Sequence, residues 1–402
     1  MEILRVKELG DIYTGKTPPT ENPQNFGNDF PFVTPVDLKD AKFIKDTERS
    51  VSKIGIKHTT LIPANSICVT CIGYIGKIGI TEIDSCTNQQ INSLIVNNEF
   101  DIDYAYYLIL YSVPYFKELA GVNVVPQLNK RDFSKVKLLG TKNKPEQTAI
   151  ATLLSKVDEA IEATQNSIKA AEKLKKALMQ NLLTGKLKPD GTWRTEDEFY
   201  DDEKFGNYPK DWSFSRFKDY AVLQRGKDLT DNEVISGLYP VVKSNGVQIY
   251  HNQYFVEPPG VVTGRSGTIG NVFYIEEKFW SHNTSLYVKD FKGNNPKFIY
   301  YLIKKMDFRK YYAGTTVPTL NRNDIHRLKI AMPPTFKEQE NITTKIDDFD
   351  ITLNSKQTKI QTLQRLKKSL MQNLLTGKVR LPADFIAQFE STVEVNHKIE
   401  IA

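Results

Sequence analysis

The sequence predicts an α+β protein: two α/β globules separated by two long helices that form an antiparallel coiled coil, with an internal repeat of approximate twofold symmetry. Three observations carry this reading. Residues 174–186, Leu-Lys-Lys-Ala-Leu-Met-Gln-Asn-Leu-Leu-Thr-Gly-Lys, return at 366–378 with one change, Ala177 to Ser369. Apolar or small residues lead into each copy in steps of three and four. The stretch before each helix is β-rich and broken by Gly, Pro and Asn. A repeat of this kind organises everything else in the chain.

The offset of 192 residues also relates Glu146-Gln147 to Glu338-Gln339, Asp158 to Asp350, and Pro126-x-Leu128-Asn129 to Pro318-x-Leu320-Asn321. It further matches Ser93-Leu94-Ile95-Val96 to Ser285-Leu286-Tyr287-Val288. The expected boundaries are a globule over 1–144, a helix over 145–186, a linker over 187–211, a second globule over 212–334, a second helix over 335–380 and a tail over 381–402.

The first helix has its seam at Ile150, Leu154, Val157, Ile161, Thr164, Ile168, Ala171, Leu174, Leu178 and Leu182. The second copies every step from Ile342 to Leu374, including the two successive three-residue steps. Pro145 and Pro334 precede the first turns, and Gly185 and Gly377 follow the last apolar residues. Residues 145–162 carry a net charge of −3 and residues 163–186 a net +4; the second helix is divided likewise. Antiparallel pairing sets acidic ends against basic ends and suits both helix dipoles, so it is the predicted orientation.

Within the globules, 66–70, 77–80, 260–263 and 271–275 read as strands, and 104–111 and 298–303 as aromatic helices whose rings belong to the core. Loops make the better contact surfaces. Gly73-Tyr74-Ile75-Gly76-Lys77 corresponds to Gly267-Thr268-Ile269-Gly270-Asn271, glycine turns that let a backbone approach a partner beside Arg265 and Ser266. Gln127, Asn129, Lys130 and Arg131 correspond to Thr319, Asn321 and Arg322, side chains of the types that read base edges or hold phosphate.

Apolar residues make up 40% and charged residues 25% of the 402, with a formal charge of +6, a balance that permits a polyanionic partner. No apolar run is long enough for a membrane helix and the start has no signal-peptide core, so a cytoplasmic protein without a membrane partner is expected. Cys68-x-x-Cys71 lies in a strand-like apolar run with no second pair, and the histidines are scattered. Neither reads as a metal site.

These motifs identify a resemblance to the specificity subunits of type I restriction-modification systems. It rests on the duplicated helical string, the Gly267-Thr268-Ile269-Gly270 turn, the Gly15-Lys16 and Gly226-Lys227 turns, and Asn207-Tyr208-Pro209-Lys210-Asp211-Trp212 opening the second half. The first half lacks the Pro-x-x-Trp lead. The resemblance implies that each globule is a target recognition domain reading one half of a split double-stranded DNA site, with no catalysis and no cofactor in this chain. Two methyltransferase subunits binding S-adenosylmethionine, and restriction-translocase subunits, would join it. It adds Lys16, Thr17, Lys227, Lys243 and Asn245 as DNA contacts beside those above. It makes Leu178, Met179, Leu182, Leu183, Leu370, Met371, Leu374 and Leu375 a docking surface for subunits.

The alternative is a catalytic DNA-acting enzyme, a nuclease or NTPase. Gly10 to Thr17 matches a phosphate-binding loop, but Pro18-Pro19 follows at once and denies the required helix its amides. Asp190, Asp202 and Glu203 fall in a connector that offers no strand to hold them on a metal.

Overall fold

The computed structural model describes residues 1–39, 41–121, 125–203, 205–306, 308 and 319–390. Lys204, Pro318 and the tail beyond 390 lie outside them. The chain divides into two compact units, Met1–Gln165 with Lys359–Ala402, and Asn166–Thr358, so each long helix belongs partly to each unit.

In the first unit the main sheet has the strand order Gly10–Thr14, Ile91–Val96, Ile67–Thr70, Ile78–Thr81, Phe43–Ile44. The second unit repeats its core with Val222–Arg225, Ser285–Asp290, Gly260–Gly264 and Val272–Ile275. Each globule also pairs its first strand with its last, Glu2–Arg5 with Lys137–Gly140 and Ser213–Arg216 with Lys329–Met332. The aromatic helices extend over Ile102–Leu119 and Pro296–Lys305, capped by Asp101 and Asn295. Tyr104, Tyr107, Phe298 and Tyr301 are buried in the two cores, as their helical spacing predicts.

Local hydrogen bonds correct one part of the repeat. Gly15 N–H donates to Ile91 and Lys16 N–H to Thr87, while Gly226 and Lys227 donate to Ser285 and Ser281. From the strand Ile67–Thr70 to the strand Ile91–Val96 the offset is therefore 194, against 211 at the Gly15 and Gly226 turns, and Ile91, not Ser93, corresponds to Ser285. Side chains alternate along a strand, so a two-residue displacement keeps every residue on its own face and leaves the sequence match looking sound.

The long helices span Lys144–Leu182 and Phe336–Leu370, the second extended by a wider π turn over Met371–Leu375. In the first unit Asp158 meets Lys367 at 2.6 Å and Glu146 meets Arg380 at 2.7 Å, so one numbering falls as the other rises. In the second, Lys175 pairs with Asp350, and Lys356 donates to Ser167 at 2.8 Å. Both pairings are antiparallel, as the charge division predicts. Each is completed by a tyrosine: Tyr107 donates to Asp158 at 2.7 Å, and Tyr301 to Asp350 at 3.2 Å and to Asp347 at 2.5 Å. Gln147 and Gln339, both buried, accept from the N–H of Asp101 and Asn295 and donate to the carbonyls of Thr141 and Pro333. They fasten the start of each long helix to the cap of the aromatic helix beside it.

Two expectations for the helices are corrected. Leu174 and Leu366 are 57% and 46% exposed, not in the seam. Each three-residue step falls about 60° short of a full turn, so two in succession rotate these leucines outward. Lys175 and Lys367 take the inward places, where they reach Asp350 and Asp158. Second, Leu182, Leu183, Met371, Leu374 and Leu375 are buried in this chain's own cores, and Leu178, Met179 and Leu370 pack against the same clusters. The string expected to dock other subunits is core, because its apolar face meets a globule inside each unit.

The linker also differs from a strandless connector. Phe199–Tyr200 pairs with Tyr208–Pro209, and Tyr208 stacks on Phe214 with ring centroids 4.2 Å apart. Aromatic residues among the acids give this hairpin an apolar side to lay on the strand pair beneath.

Candidate nucleic-acid interface

At one end of each main sheet four loops converge. In the first unit the strand ends place 15–17 beside 87–90, and Cys71 N–H donates to Gln90. Gly73 N–H donates to Pro126, Leu128 N–H to Cys71, and Ile72 bridges Gln127. The second unit builds the same meeting from 226–229, 265–270, 281–284 and 319–321. There Arg265 and Ser266 N–H groups donate to Thr284, Leu320 N–H donates to Arg265, and Ser266 bridges Thr319.

These contacts bring together most of the expected residues. Tyr74 is 74% exposed at the tip of its glycine turn, where Gly73 and Gly76 adopt positive φ. Exposed Lys77 lies 5.6 Å from that ring and donates to the Pro35 carbonyl. Lys130 lies over Tyr13 at 5.6 Å, Thr17 donates to Gln89, and the side chains of Lys16, Gln127 and Arg131 are exposed. In the second unit Lys227 lies 4.5 Å from the Phe255 ring, and Asn245, Thr268, Asn271 and Arg322 are exposed, with Lys243 half-buried.

Two residues have a structural task as well. Asn129 accepts from Asp132 N–H and donates to its carboxylate, and Asn321 accepts from Asn323 N–H, each capping a short helix, Lys130–Lys135 and Arg322–Arg327. Their matching positions in the repeat are accounted for by capping.

Sequence reading missed Gln89 and Asn283, which the same loops carry, and Tyr13 and Arg225, at the strand ends that lead into them. The only signal for Arg225 is its place before Gly226-Lys227. In this unit, burial and the cation of Lys243 hold His282 below the usual imidazole range against the opposing pull of Asp228. Burial pushes the Cys68 thiol up to about 12 and those of Cys71 and Cys86 to about 11, keeping all three protonated small core residues.

The phosphate-loop match is a strand, Gly10–Thr14, and the Lys16 amide is spent on Thr87. Asp190 accepts from Thr192, and no group of His, Cys, Asp or Glu able to hold a metal occurs among the described residues. Exposed cations, amides and hydroxyls on paired loops suit binding of a polyanion with contacts to its bases.

A family model described as the type I restriction modification DNA specificity domain matches residues 1–173 and 209–365. The chain belongs to that family. Each match takes in one globule and most of the long helix after it, and stops just short of the repeated string at 174–186 or 366–378. Among curated relatives, the type I restriction enzyme MjaIX specificity subunit of Methanocaldococcus jannaschii is 26% identical over 94% of both chains. The HindI specificity subunit of Haemophilus influenzae is 34% identical over 46% of this chain and 41% of its own. The crystal structure of a type I restriction-modification S subunit from M. genitalium shares the specificity-domain fold, with a TM-score of 0.58 at 16% identity over 93% of this chain and 96% of that one. No described helix is long and apolar enough to cross a membrane.

Proposed function

We propose that the chain is the DNA specificity subunit of a type I restriction-modification complex. Each unit reads one half of a bipartite, asymmetric double-stranded site through its four-loop cluster, and the long helices set the unread spacer. The chain is non-catalytic. Two methyltransferase subunits, holding S-adenosylmethionine, act on the DNA that it selects, restriction-translocase subunits join them, and the complex works in the cytoplasm. The duplicated loop cluster carries this reading: two built surfaces of one plan, with different exposed side chains, suit two different half-sites. The outward faces of the long helices, where Leu174 and Leu366 are exposed, are the docking surface that remains once the repeated string is counted as core.

The test is to express the full complex, map methylated bases genome-wide, and exchange residues 212–334 for those of another family member. One half of the methylated motif should change and the other stay. A motif unchanged by the exchange, or methyl transfer, ATP hydrolysis or magnesium-dependent cleavage by the purified chain alone, contradicts the proposal.

A further inference from the structure

We propose that Arg225 and Arg265 form a clamp for one DNA backbone phosphate, present in the second unit and without counterpart in the first. The inference rests on the DNA-binding reading above. Arg225 ends the strand Val222–Arg225 and Arg265 follows the strand Gly260–Gly264, so neighbouring loops supply them. Arg225 Nε and Arg265 Nη1 both point at one acceptor, the Asn283 carbonyl, at 3.4 and 3.5 Å. Those contacts are long, and one neutral oxygen cannot balance two cations. The nearest acid of these loops, Asp228, is turned to the Asn283 amide at 2.7 Å and to His282 at 3.8 Å. Among the described residues neither guanidinium makes an ion pair, whereas Arg194, Arg327 and Arg380 all do. Burial, and then the charge of Arg225, lower the Arg265 pKa, the expected mark of two cations held together without an anion.

The Arg265 main chain is fixed on both sides, its N–H donating to Thr284 and its carbonyl accepting from Leu320. The pair therefore stays close without a ligand to hold it. Two guanidiniums arriving from different loops match the two free oxygens of a phosphodiester, one each, whereas a guanine edge takes a single planar fork.

The repeat makes the comparison. By the shared hydrogen bonds of the loops, Arg225 corresponds to Thr14 and Arg265 to Cys71. Thr14 donates to Asn92 at 2.8 Å and Cys71 is buried, so the first unit fills these two places with uncharged, internally satisfied groups. The scaffold needs no cation at either position, which leaves a ligand as the reason for both arginines.

The experiment uses the full chain in complex with its methyltransferase subunits and follows binding across a KCl series to two duplexes, one carrying the mapped methylation site and one scrambled. The variants are Arg225→Gln, Arg265→Gln, the double variant, and Arg225→Lys as a charge-preserving control. The double variant should weaken both duplexes by the same factor and reduce the slope of log K against log salt by about one. Either single substitution should account for most of that loss, the lysine control should keep the slope, and the methylated motif should not change. A loss confined to the target duplex, or a relaxed motif, makes the pair a base reader and overturns the clamp, as does an unchanged slope in the double variant. A wild-type complex that binds neither duplex overturns the DNA reading itself, an outcome distinct from both.

Discussion

Single residues show where charge is tolerated and why. Lys305 closes the helix Pro296–Lys305 with its ammonium on the Leu183 carbonyl at 3.3 Å, and burial, with Lys186 nearby, pushes its pKa down to about 8 from 10.5. The folded state thus disfavours the charged form relative to the unfolded chain. That penalty is in full force below about pH 8 and is relieved as pH climbs toward 10.5, because there the unfolded chain binds the extra proton. Replacing Lys305 by Met should therefore help stability most at pH 7 and progressively less by pH 10, read as urea midpoints at the two pH values. A constant difference between the two proteins would show that Lys305 is not the titrating group. Such a lysine is hidden from sequence reading, since Tyr300-Tyr301-Leu302-Ile303-Lys304-Lys305 reads as an aromatic helix ending in two ordinary solvated cations. For Arg225 the difficulty is the same. Its meaning comes from a carbonyl and a second arginine at remote positions in the sequence, and those meet only on folding.

At the level of elements, the long helices were legible because period and charge pattern are local properties, and their mutual orientation followed from the charge division. The outward turn of Leu174 and Leu366 was not, although the two short steps that cause it stand in the sequence. An apolar residue at a plausible step looks like seam until the partner helix supplies the aspartate that draws in the neighbouring lysine. Asp158 and Lys367, with side chains 23% and 19% exposed, give a direct test. Reversing either charge alone should cost roughly 2–4 kcal/mol, because a partly buried ion is left facing a like charge. Reversing both should recover about half of it, the Tyr107 hydroxyl then having lost its acceptor. Additive losses in that double-mutant cycle, measured by denaturant unfolding, would mean the pair does not hold the helices together.

For the molecule as a whole, the repeat was visible in sequence and correctly gave two modules. The division into units was not, because it runs through the middle of both helices rather than through a linker rich in glycine or proline. The first core takes Met371, Leu374 and Leu375 from the far end of the chain, and its buried Glu146 takes Arg380. A chain ending at residue 358 should therefore lose hydrogen-exchange protection across residues 1–165 while 166–358 keeps it. Equal protection in both regions would contradict the partition. The same arrangement bears on biosynthesis. As the polypeptide leaves the ribosome, residues 1–165 must wait for residues 371–380, with the Glu146 carboxylate and an apolar cleft uncovered until those emerge. Residues 166–358 can close before that, so a nascent chain stalled between residues 358 and 371 would hold a complete second unit while the first stayed open.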